Sequence, residues 1–469
     1  MTFSTYKNWN LSLDNQGILW LAFDRESSPV NSFSVAVMEE LEKITAEIES
    51  ENPKGVVVTS AKKAGFIAGA DVTQFTSLEK EEDAFDIIRQ GQLVFDQWEK
   101  LPMPTVALIN GFCLGGGYEF ALSCRYRIAL DDPKVKIGLP EIKLGIQPGW
   151  GGTVRLPRLI GAEKAMGIIL PGSAVPARKA YKMGMVDAAV PERQLLRSAR
   201  YFVLQKPKPH VASFRERLSN NFLVRPFLAK LMLSQLAKKK VKKEHYPAPF
   251  AVIDNWARFA GSKNEMLEEA KSISRLMMTD TAKNLLRVFF LQTSMKELAK
   301  GVKFKPSRLH VVGAGTMGGD IAAWCALRGM NVTLQDQSPE RIAPALKRAY
   351  KLFKKKLKKP HLINDAMDRL IPDVNGGGVK TADVIIEAVF ENLEVKQKIF
   401  KELELSAKPD AILASNTSSI PLEEIASVLD QPDRLVGLHF FNPVALMPLV
   451  EIVHTGSTAE DLIGRCAAF

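Results

Sequence analysis

The chain has 469 residues, of which 46% are hydrophobic and 25% are charged. This length is too great for one hydrophobic core and predicts two or three domains, while the balanced composition excludes disordered, collagen-like and disulfide-scaffold proteins. The formal net charge of +11 points to an anionic partner of one of three classes: a nucleic acid, a lipid surface or a phosphorylated small molecule.

No run of 18 apolar residues occurs, and the N-terminus has no basic region followed by an apolar one, so we expect neither a transmembrane segment nor secretion. The four cysteines lack the spacing of a disulfide frame or a metal site; they are Cys113, Cys124, Cys325 and Cys466. We therefore expect a cytoplasmic protein without a structural metal.

Three regions follow one another along the chain. Residues 1–190 alternate β-branched runs, such as 56–59 and 105–109, with helical pattern and predict an α/β domain. Residues 191–305 are rich in Leu, Lys and Arg at helical spacing and predict a helical connector. From 306 to 469 strand and helix signals alternate again, which predicts a second α/β domain.

Two glycine-containing turns follow strands in the first region, at residues 66–71 and 110–119. Such turns expose backbone N–H groups, and two converging turns can hold a thioester oxygen as it becomes an enolate. Glu119 and Glu141 are two carboxylates that can add water across a conjugated double bond. For each glutamate alone, a solvent-facing or capping role is the more common one.

The motifs FIAGADV, INGFCLGGGYEFALSCRYRIA and GLPEIKLGIQPGWGGTVRLPRLIG resemble the enoyl-CoA hydratase/isomerase (crotonase) family across about residues 10–190. The resemblance implies a crotonase-like fold, oxyanion-hole N–H groups from Ala70 and Gly116, and an acid/base pair formed by Glu119 and Glu141. The presence of both glutamates favours hydration. Isomerisation of a 3,4 double bond to the 2,3 position is the alternative.

The second α/β region opens with G-x-G-x-x-G directly after a predicted strand. Gly313 permits the tight turn, Gly315 lets the backbone approach a pyrophosphate, and Gly318 allows close packing of helix on strand. The helix that follows offers free N–H groups to phosphate, beginning at Thr316 and Met317. Asp336 closes the next predicted strand, where a carboxylate binds a ribose diol and repels a 2′-phosphate. These residues predict a Rossmann-type domain that binds NAD.

A histidine and a glutamate later in this region form a candidate acid/base pair. His439 can take the proton of a substrate alcohol if a carboxylate, such as Glu451, holds its other ring nitrogen. On spacing alone, a histidine packed in the core is the more common situation.

The motifs GAGTMG, DVIIEAVFEN, ASNTSSIP and HFFNPVALMPLVE resemble the 3-hydroxyacyl-CoA dehydrogenase family over about residues 305–455. The resemblance implies that His439 is the general base, that Glu451 orients it and that Ser418 hydrogen-bonds near the substrate hydroxyl. It places Asp336, Glu391 and Lys396 at the NAD site and the lysines of 354–356 near CoA phosphates. Family members continue into a C-terminal helical domain, which is missing from this 469-residue sequence, so we expect weak dehydrogenase activity.

The order of the three regions resembles the bacterial multifunctional enzymes of fatty-acid β-oxidation. The resemblance implies hydration of trans-2-enoyl-CoA to L-3-hydroxyacyl-CoA, oxidation of that product with NAD, acyl-CoA thioester substrates and a thiolase β subunit as partner. The alternatives are an isomerase as the main activity and a scaffold subunit for thiolase. Nucleic acid is not expected, because the lysine runs at 238–243 and 354–359 lack interleaved aromatic or arginine residues.

Overall fold

The computed structural model describes residues 3–76 and 78–469. These residues form two compact units, 1–290 and 291–469. Within the described part of the chain, no helix is both long enough and apolar enough to cross a membrane.

The first unit alternates strands and helices as far as β10 and is helical after it. Its strands are β1 (Trp9–Leu13), β2 (Ile18–Phe23), β3 (Gly55–Ser60), β4 (Gly65–Ile67), β5 (Thr105–Ile109), β6 (Phe112–Leu114), β7 (Tyr126–Leu130), β8 (Ile137–Gly138), β9 (Ala174–Val175) and β10 (Ala188–Val190). Its helices are α1 (Val35–Glu51), α2 (Glu81–Glu99), α3 (Gly116–Ser123), α4 (Gly152–Ile160), α5 (Ala162–Ile169), α6 (Ala177–Met183), α7 (Glu192–Gln205), α8 (Phe214–Leu218), α9 (Arg225–Lys238), α10 (Ala248–Phe259) and α11 (Glu265–Met277), and α12 (Asp280–Glu297) crosses the boundary between the units.

Two sheets organise the first unit. The larger has the order β1-β2-β3-β5-β7-β10 and is parallel except for the β1–β2 pair. All five residues of β5 are buried, as expected of a parallel strand covered on both faces. The smaller sheet has the order β4-β6-β8-β9. It pairs β4 with β6, and because β4 ends within residues 66–71 and β6 lies within residues 110–119, the pairing brings these two glycine-containing segments together.

The second unit is a doubly wound sheet. Its strands are β11 (Arg308–Val312), β12 (Asn331–Gln335), β13 (Leu370–Pro372), β14 (Val384–Glu387), β15 (Ile412–Ser415), β16 (Leu435–Phe440) and β17 (Val450–Val453), and its remaining helices are α13 (Thr316–Leu327), α14 (Pro339–Leu357), α15 (Pro360–Asp368), α16 (Leu393–Ser406), α17 (Leu422–Ala426) and α18 (Glu460–Ala468).

The order of this sheet is β13-β12-β11-β14-β15-β16-β17, parallel up to β16 and antiparallel at β17. The six parallel strands therefore have the dinucleotide-binding order 3-2-1-4-5-6. Val311 and Val312 pack into different hydrophobic clusters. Since adjacent strand residues point to opposite faces, both faces of the sheet are covered.

The predicted connector over 191–305 is helical in the structure, but it is not a separate body. Its helices as far as Phe290 belong to the first compact unit, because residues such as Ile273 and Met277 of α11 are buried in that unit's core. Strand β13 was not predicted. It is three residues long and two of them are exposed, so its sequence has no apolar run to mark it.

Candidate active sites

A pocket of about 480 Å³ in the first unit contains all four residues predicted for the thioester site. They are Ala70, Gly116, Glu119 and Glu141. Much of the remaining lining is apolar, including Phe75, Ile88, Leu144, Ile146, Trp150, Ile273 and Phe289. The pocket thus combines a small polar centre with walls that suit a hydrocarbon chain.

The two predicted oxyanion-hole amides lie close together. Phe33 exchanges backbone hydrogen bonds with Gly69 O and Asp71 N, and because successive amides of an extended chain alternate in direction, the Ala70 N–H points the other way. Gly116 is the first residue of α3, where a backbone N–H has no partner within the helix. A Cβ at Gly116 would lie only 3.4 Å from Ala70 N. Ala70 and Gly116 thus lie side by side in the pocket, as the two residues of an oxyanion hole must.

Glu119 lies in the first turn of α3 and is only 2% exposed. Its Oε1 accepts hydrogen bonds of 2.7 Å from both Trp150 N and Gly152 N. Burial raises the pKa of Glu119 well above its usual value, and the charge of Glu141 adds to this, while the two amide bonds oppose it. This carboxylate is held in a fixed orientation.

Glu141 begins the short 3-10 turn Glu141–Leu144. Its two carboxylate oxygens are inaccessible to solvent and have no hydrogen-bond partner among the described residues. Burial raises the pKa of Glu141 to about 8, because an ion without donors is unfavourable in such a place. Gly115 has a φ of +53°, and a Cβ there would lie 3.0 Å from Glu141 Oε1, so a larger residue at this position would crowd the carboxylate.

In the second unit, the glycine motif has the geometry of a dinucleotide turn. Gly313 has a φ of +101°, and a Cβ there would lie 2.6 Å from Ala388 O. A Cβ at Gly318 would lie 1.9 Å from Gly313 O, whereas one at Gly315 would meet no atom within 4 Å. The turn is closely packed at its first and third glycines and open at the second, where a pyrophosphate approaches the backbone. Helix α13 begins immediately afterwards at Thr316, followed by Met317.

Asp336 follows β12, next to this turn. Its Oδ2 accepts a 2.8 Å hydrogen bond from Ala314 N and its Oδ1 one of 2.7 Å from Gln337 N. The carboxylate is thus tied to the glycine turn itself. These residues fit NAD, because the open backbone at Gly315 and the anionic Asp336 suit a pyrophosphate and a free ribose diol.

Lys396 lies beneath the surface of the second site. It is 1% exposed, and its Nζ lies 2.7 Å from Glu387 Oε1 and 3.0 Å from Glu391 Oε2. Glu391 Oε1 accepts bonds from Ser418 N at 2.9 Å and Thr417 Oγ1 at 2.7 Å. Burial alone would raise the pKa of Glu391, but these donors and Lys396 hold it below its usual value. Through Glu391, Lys396 supports the loop that carries Ser418.

The predicted histidine pair is formed. His439 Nδ1 lies 2.8 Å from Glu451 Oε2, and the two residues are register partners across β16 and β17. A carboxylate at Nδ1 favours the tautomer that carries its proton there and leaves Nε2 free to accept one.

The second site lies at one edge of its sheet. The glycine turn, Asp336, Glu391 and Ser418 follow β11, β12, β14 and β15, and His439 is next to the last residue of β16. These five strands are parallel, so their carboxyl ends meet along that edge, where ligands of doubly wound sheets bind.

Comparison with known proteins agrees with this geometry. The family model for enoyl-CoA hydratase/isomerase matches residues 14–244, and that for the NAD binding domain of 3-hydroxyacyl-CoA dehydrogenase matches residues 308–469. The fatty acid oxidation complex subunit alpha of Vibrio vulnificus (strain CMCP6) is 39% identical over 481 residues, which cover 99% of this chain and 68% of that protein. The chain belongs to the family of fatty acid oxidation complex alpha subunits.

Other similar proteins include a second alpha subunit and a solved enoyl-CoA hydratase. The fatty acid oxidation complex subunit alpha of Shewanella halifaxensis (strain HAW-EB4) is 36% identical over 478 residues, covering 99% of this chain and 67% of that protein. A solved enoyl-CoA hydratase from Bacillus anthracis is 31% identical and covers 53% of this chain and 90% of its own, with a TM-score of 0.40.

Membership of this family confirms several predictions. The chain is a β-oxidation enzyme with an enoyl-CoA hydratase domain and an NAD-binding 3-hydroxyacyl-CoA dehydrogenase domain. The α/β fold class and the NAD cofactor are likewise confirmed. The hydratase match continues to residue 244, beyond the predicted boundary at 190.

Sequence reasoning missed several residues that support these sites. In the first unit, Glu269 is a third buried carboxylate, and it lies in the region predicted as a connector. In the second, Glu387 and Ser415 are both fully buried and joined by a 2.7 Å hydrogen bond. In the sequence, the only signal for Glu387 and Ser415 is that each is a polar residue at the end of an apolar strand.

Proposed function

We propose that Glu119 and Glu141 carry out the hydration of trans-2-enoyl-CoA to L-3-hydroxyacyl-CoA. The observation that supports this is that the two buried carboxylate groups and the residues Ala70 and Gly116 line one largely apolar pocket. The amides of Ala70 and Gly116 bind the thioester oxygen, which becomes negative when water adds to the double bond. The apolar walls take up the acyl chain.

The two carboxylates have different environments and so take different roles. Burial raises the pKa of Glu119, and its two amide hydrogen bonds oppose that rise and fix the orientation of the carboxylate, so we give Glu119 the role of the base that removes a proton from water. Glu141 has a pKa of about 8, holds its proton at neutral pH and delivers it to the α carbon of the enolate. An isomerase also needs proton transfer but not a water-activating base, so the paired arrangement favours hydration.

Replacement of each glutamate by glutamine tests the proposal. Glu119→Gln and Glu141→Gln are each expected to lower crotonyl-CoA hydration by at least about a hundredfold, because each removes one proton-transfer step. Glu163→Gln, at an exposed position of α5, is the matched control. A folded Glu119→Gln or Glu141→Gln chain with near-normal hydration contradicts the proposal, and conversion of a 3-enoyl-CoA in the same samples measures isomerase activity.

In the second unit, we propose that His439 is the general base in the NAD-dependent oxidation of the L-3-hydroxyacyl-CoA hydroxyl group. NAD would be held by the glycine turn from Gly313 to Gly318 and by Asp336, and when bound it supplies the hydride acceptor. His439 removes the hydroxyl proton at Nε2, while Glu451 at Nδ1 stabilises the resulting imidazolium. Ser418 is proposed to hydrogen-bond near the substrate hydroxyl.

We also propose a partner subunit, a contact for CoA and a cellular location. The relatives are named as subunits of a complex, which supports a second subunit, for which we propose a thiolase. Exposed lysines at 354–356 of α14 are proposed to contact CoA phosphates, and a cytoplasmic location is proposed. Co-purification of a thiolase with the tagged chain from a cell lysate tests the first point, and cell fractionation tests the last.

A further inference from the structure

Four consecutive backbone amides at the start of α4 are shared between two buried carboxylates. Glu119 accepts from Trp150 N and Gly152 N, both at 2.7 Å. Glu269 of α11 accepts from Gly151 N at 2.7 Å and Thr153 N at 3.0 Å. The amides of residues 150–153 therefore bind the two carboxylates in strict alternation, and the orientation of this turn depends on both.

Glu269 is fully buried and surrounded by donors. Besides the two amides, it accepts from the Thr153 hydroxyl and from Gln92 Nε2, the latter at 3.2 Å. Gln92 is itself held by bonds to Gly149 O and Met266 O. A carboxylate accepts four such bonds, whereas a side-chain amide would turn an N–H₂ group toward donors. Burial raises the pKa of Glu269 above its usual value, and the hydrogen bonds from Thr153 and Gly151 together with Arg155 oppose that rise, so the donors around the site favour a carboxylate over a side-chain amide.

Charged groups on α3, α4 and the 3-10 turn Glu141–Leu144 interact with Glu269. Arg155 of α4 is the nearby cation, and it is paired in turn with Asp96 and Glu99 of α2. From α3 and the 3-10 turn, Glu119 and Glu141 feel the negative charge of Glu269, which raises the pKa of each. On α10 the charged pair Asp254–Arg258 is exposed.

We propose that Glu269 is a positioning residue of the hydratase site, which holds the 150–153 turn so that its amides bind Glu119. Loss of Glu269 leaves the Gly151 and Thr153 amides buried without an acceptor, so the turn must rotate to satisfy them. That rotation withdraws the Trp150 and Gly152 amides from Glu119. It also moves the Trp150 ring, which packs against Gly116, where a Cβ would lie 2.5 Å from it.

This inference rests on the proposed hydratase function. It adds to the hydratase site Glu269, a residue of α11 that lies outside the sequence motifs shared with the crotonase family. It also predicts an electrostatic effect with a definite sign. Because the charge of Glu269 favours the protonated forms of Glu119 and Glu141, its removal favours ionisation of both. In a plot of kcat for hydration against pH, the rate falls on the alkaline side as the proton donor loses its proton. Without Glu269, this fall, the alkaline limb, is expected at lower pH.

The experiment compares Glu269→Gln, Glu269→Asp and the control Glu268→Gln in the full chain. Glu268 is the neighbouring residue on α11 and pairs with Lys271. Thermal unfolding by circular dichroism establishes folding, and crotonyl-CoA hydration is measured for kcat and KM from pH 6 to 10.

Glu269→Gln is expected to lower kcat by about a hundredfold through misplacement of Glu119, with KM little changed, and to move the alkaline limb to lower pH. Glu269→Asp keeps the charge but reaches less far, so it is expected to lower kcat without moving the limb. Glu268→Gln should match the unmodified chain in both measurements.

Two results would overturn the inference: a folded Glu269→Gln chain with normal kcat and an unmoved limb, or a Glu269→Asp chain with full kcat. If Glu269→Gln shows no cooperative thermal unfolding, that variant is not folded, and the kcat of Glu269→Asp alone tests the inference. Failure of the proposed function is recognised separately, because it would appear as normal hydration by Glu119→Gln, in which Glu269 is intact.

Discussion

His439 Nδ1 and Glu451 Oε2 lie 2.8 Å apart, although twelve residues separate them along the chain. They are direct partners across the antiparallel strands β16 and β17, with Leu438 facing Ile452 as the preceding pair. Strand register thus fixes the position of the histidine relative to its carboxylate. The arrangement is pre-formed and needs no loop closure to assemble.

Removal of the Glu451 carboxylate should slow substrate oxidation without changing the affinity for NADH. Glu451→Gln is expected to slow oxidation of 3-hydroxybutyryl-CoA by about a hundredfold below the weak activity expected of the unmodified chain, because the imidazolium loses its counter-charge. NADH production is the measurement, and NADH binding should be unchanged. Glu460→Gln on α18, an exposed position, serves as the control. An unchanged oxidation rate in Glu451→Gln would contradict the role given to this pair.

Asp336 should determine the choice between NAD and NADP. Its carboxylate is fixed by Ala314 N and repels a 2′-phosphate at the same place. Titration is expected to show much tighter binding of NADH than of NADPH, and Asp336→Ala should narrow the difference. Asp365→Ala, which removes an exposed carboxylate paired with Arg369, should leave the difference intact. Equal affinities in the unmodified chain would show that Asp336 does not select the cofactor.

The residues that could be predicted are those whose role follows from local conformation. Gly313 and Gly318 lie where the backbone itself leaves no room for a side chain, and such positions recur in the same sequence context. Strand β5 was predicted with its observed bounds, because its apolar run ends at a clear turn signal.

Glu269 could not be predicted, because its role depends on tertiary contacts. In the sequence it follows Glu268 on an amphipathic helix, and nothing local distinguishes the buried glutamate from the more exposed one. Only the packing of α11 against α2 and α4 brings its carboxylate to the 150–153 turn. The resemblance places Lys396 at the NAD site, but its burial between Glu387 and Glu391 has no sequence signature and also depends on tertiary contacts.

Hydration should fall at alkaline pH. Glu141 has a pKa of about 8 and is proposed to act in its protonated form, so activity is expected to decline as pH rises through about 8. The measurement is kcat for crotonyl-CoA hydration from pH 6 to 10, with thermal unfolding at each pH to exclude denaturation. A rate that stays constant up to pH 10 would show that Glu141 is not the proton donor.

Glu141→Gln should stabilise the folded chain, and more so at high pH. A buried carboxyl whose pKa is raised by folding binds its proton more tightly in the folded state, so stability falls as pH rises from the unfolded pKa to about 8. Glutamine remains neutral and avoids this loss. The melting temperature of Glu141→Gln is expected to exceed that of the unmodified chain by a larger margin at pH 9 than at pH 5. An equal margin at both would contradict the raised pKa.

The oxyanion hole is tested by adding a single methyl group to Gly116. A Cβ there would lie 2.5 Å from Cζ3 of the Trp150 ring and 3.4 Å from Ala70 N, so either the ring or the α3 backbone must move. Gly116→Ala is therefore expected to lower kcat for hydration by about a hundredfold, the usual effect of losing one oxyanion donor. The glutamates are unchanged in this variant, so the position of the alkaline limb should be preserved.

Gly167→Ala is the matched control for this substitution, because Gly167 lies in α5 and a Cβ there would meet no atom within 4 Å. In that helix the change should raise stability by about 0.5–1 kcal/mol through lower backbone entropy of the unfolded chain, with hydration unaffected. Comparison of the two alanines separates the general cost of replacing a helical glycine from the loss of the thioester site. If Gly116→Ala retained full hydration, the Gly116 amide would have no part in binding the thioester oxygen, and the polar centre of the pocket would have to be assigned to other donors.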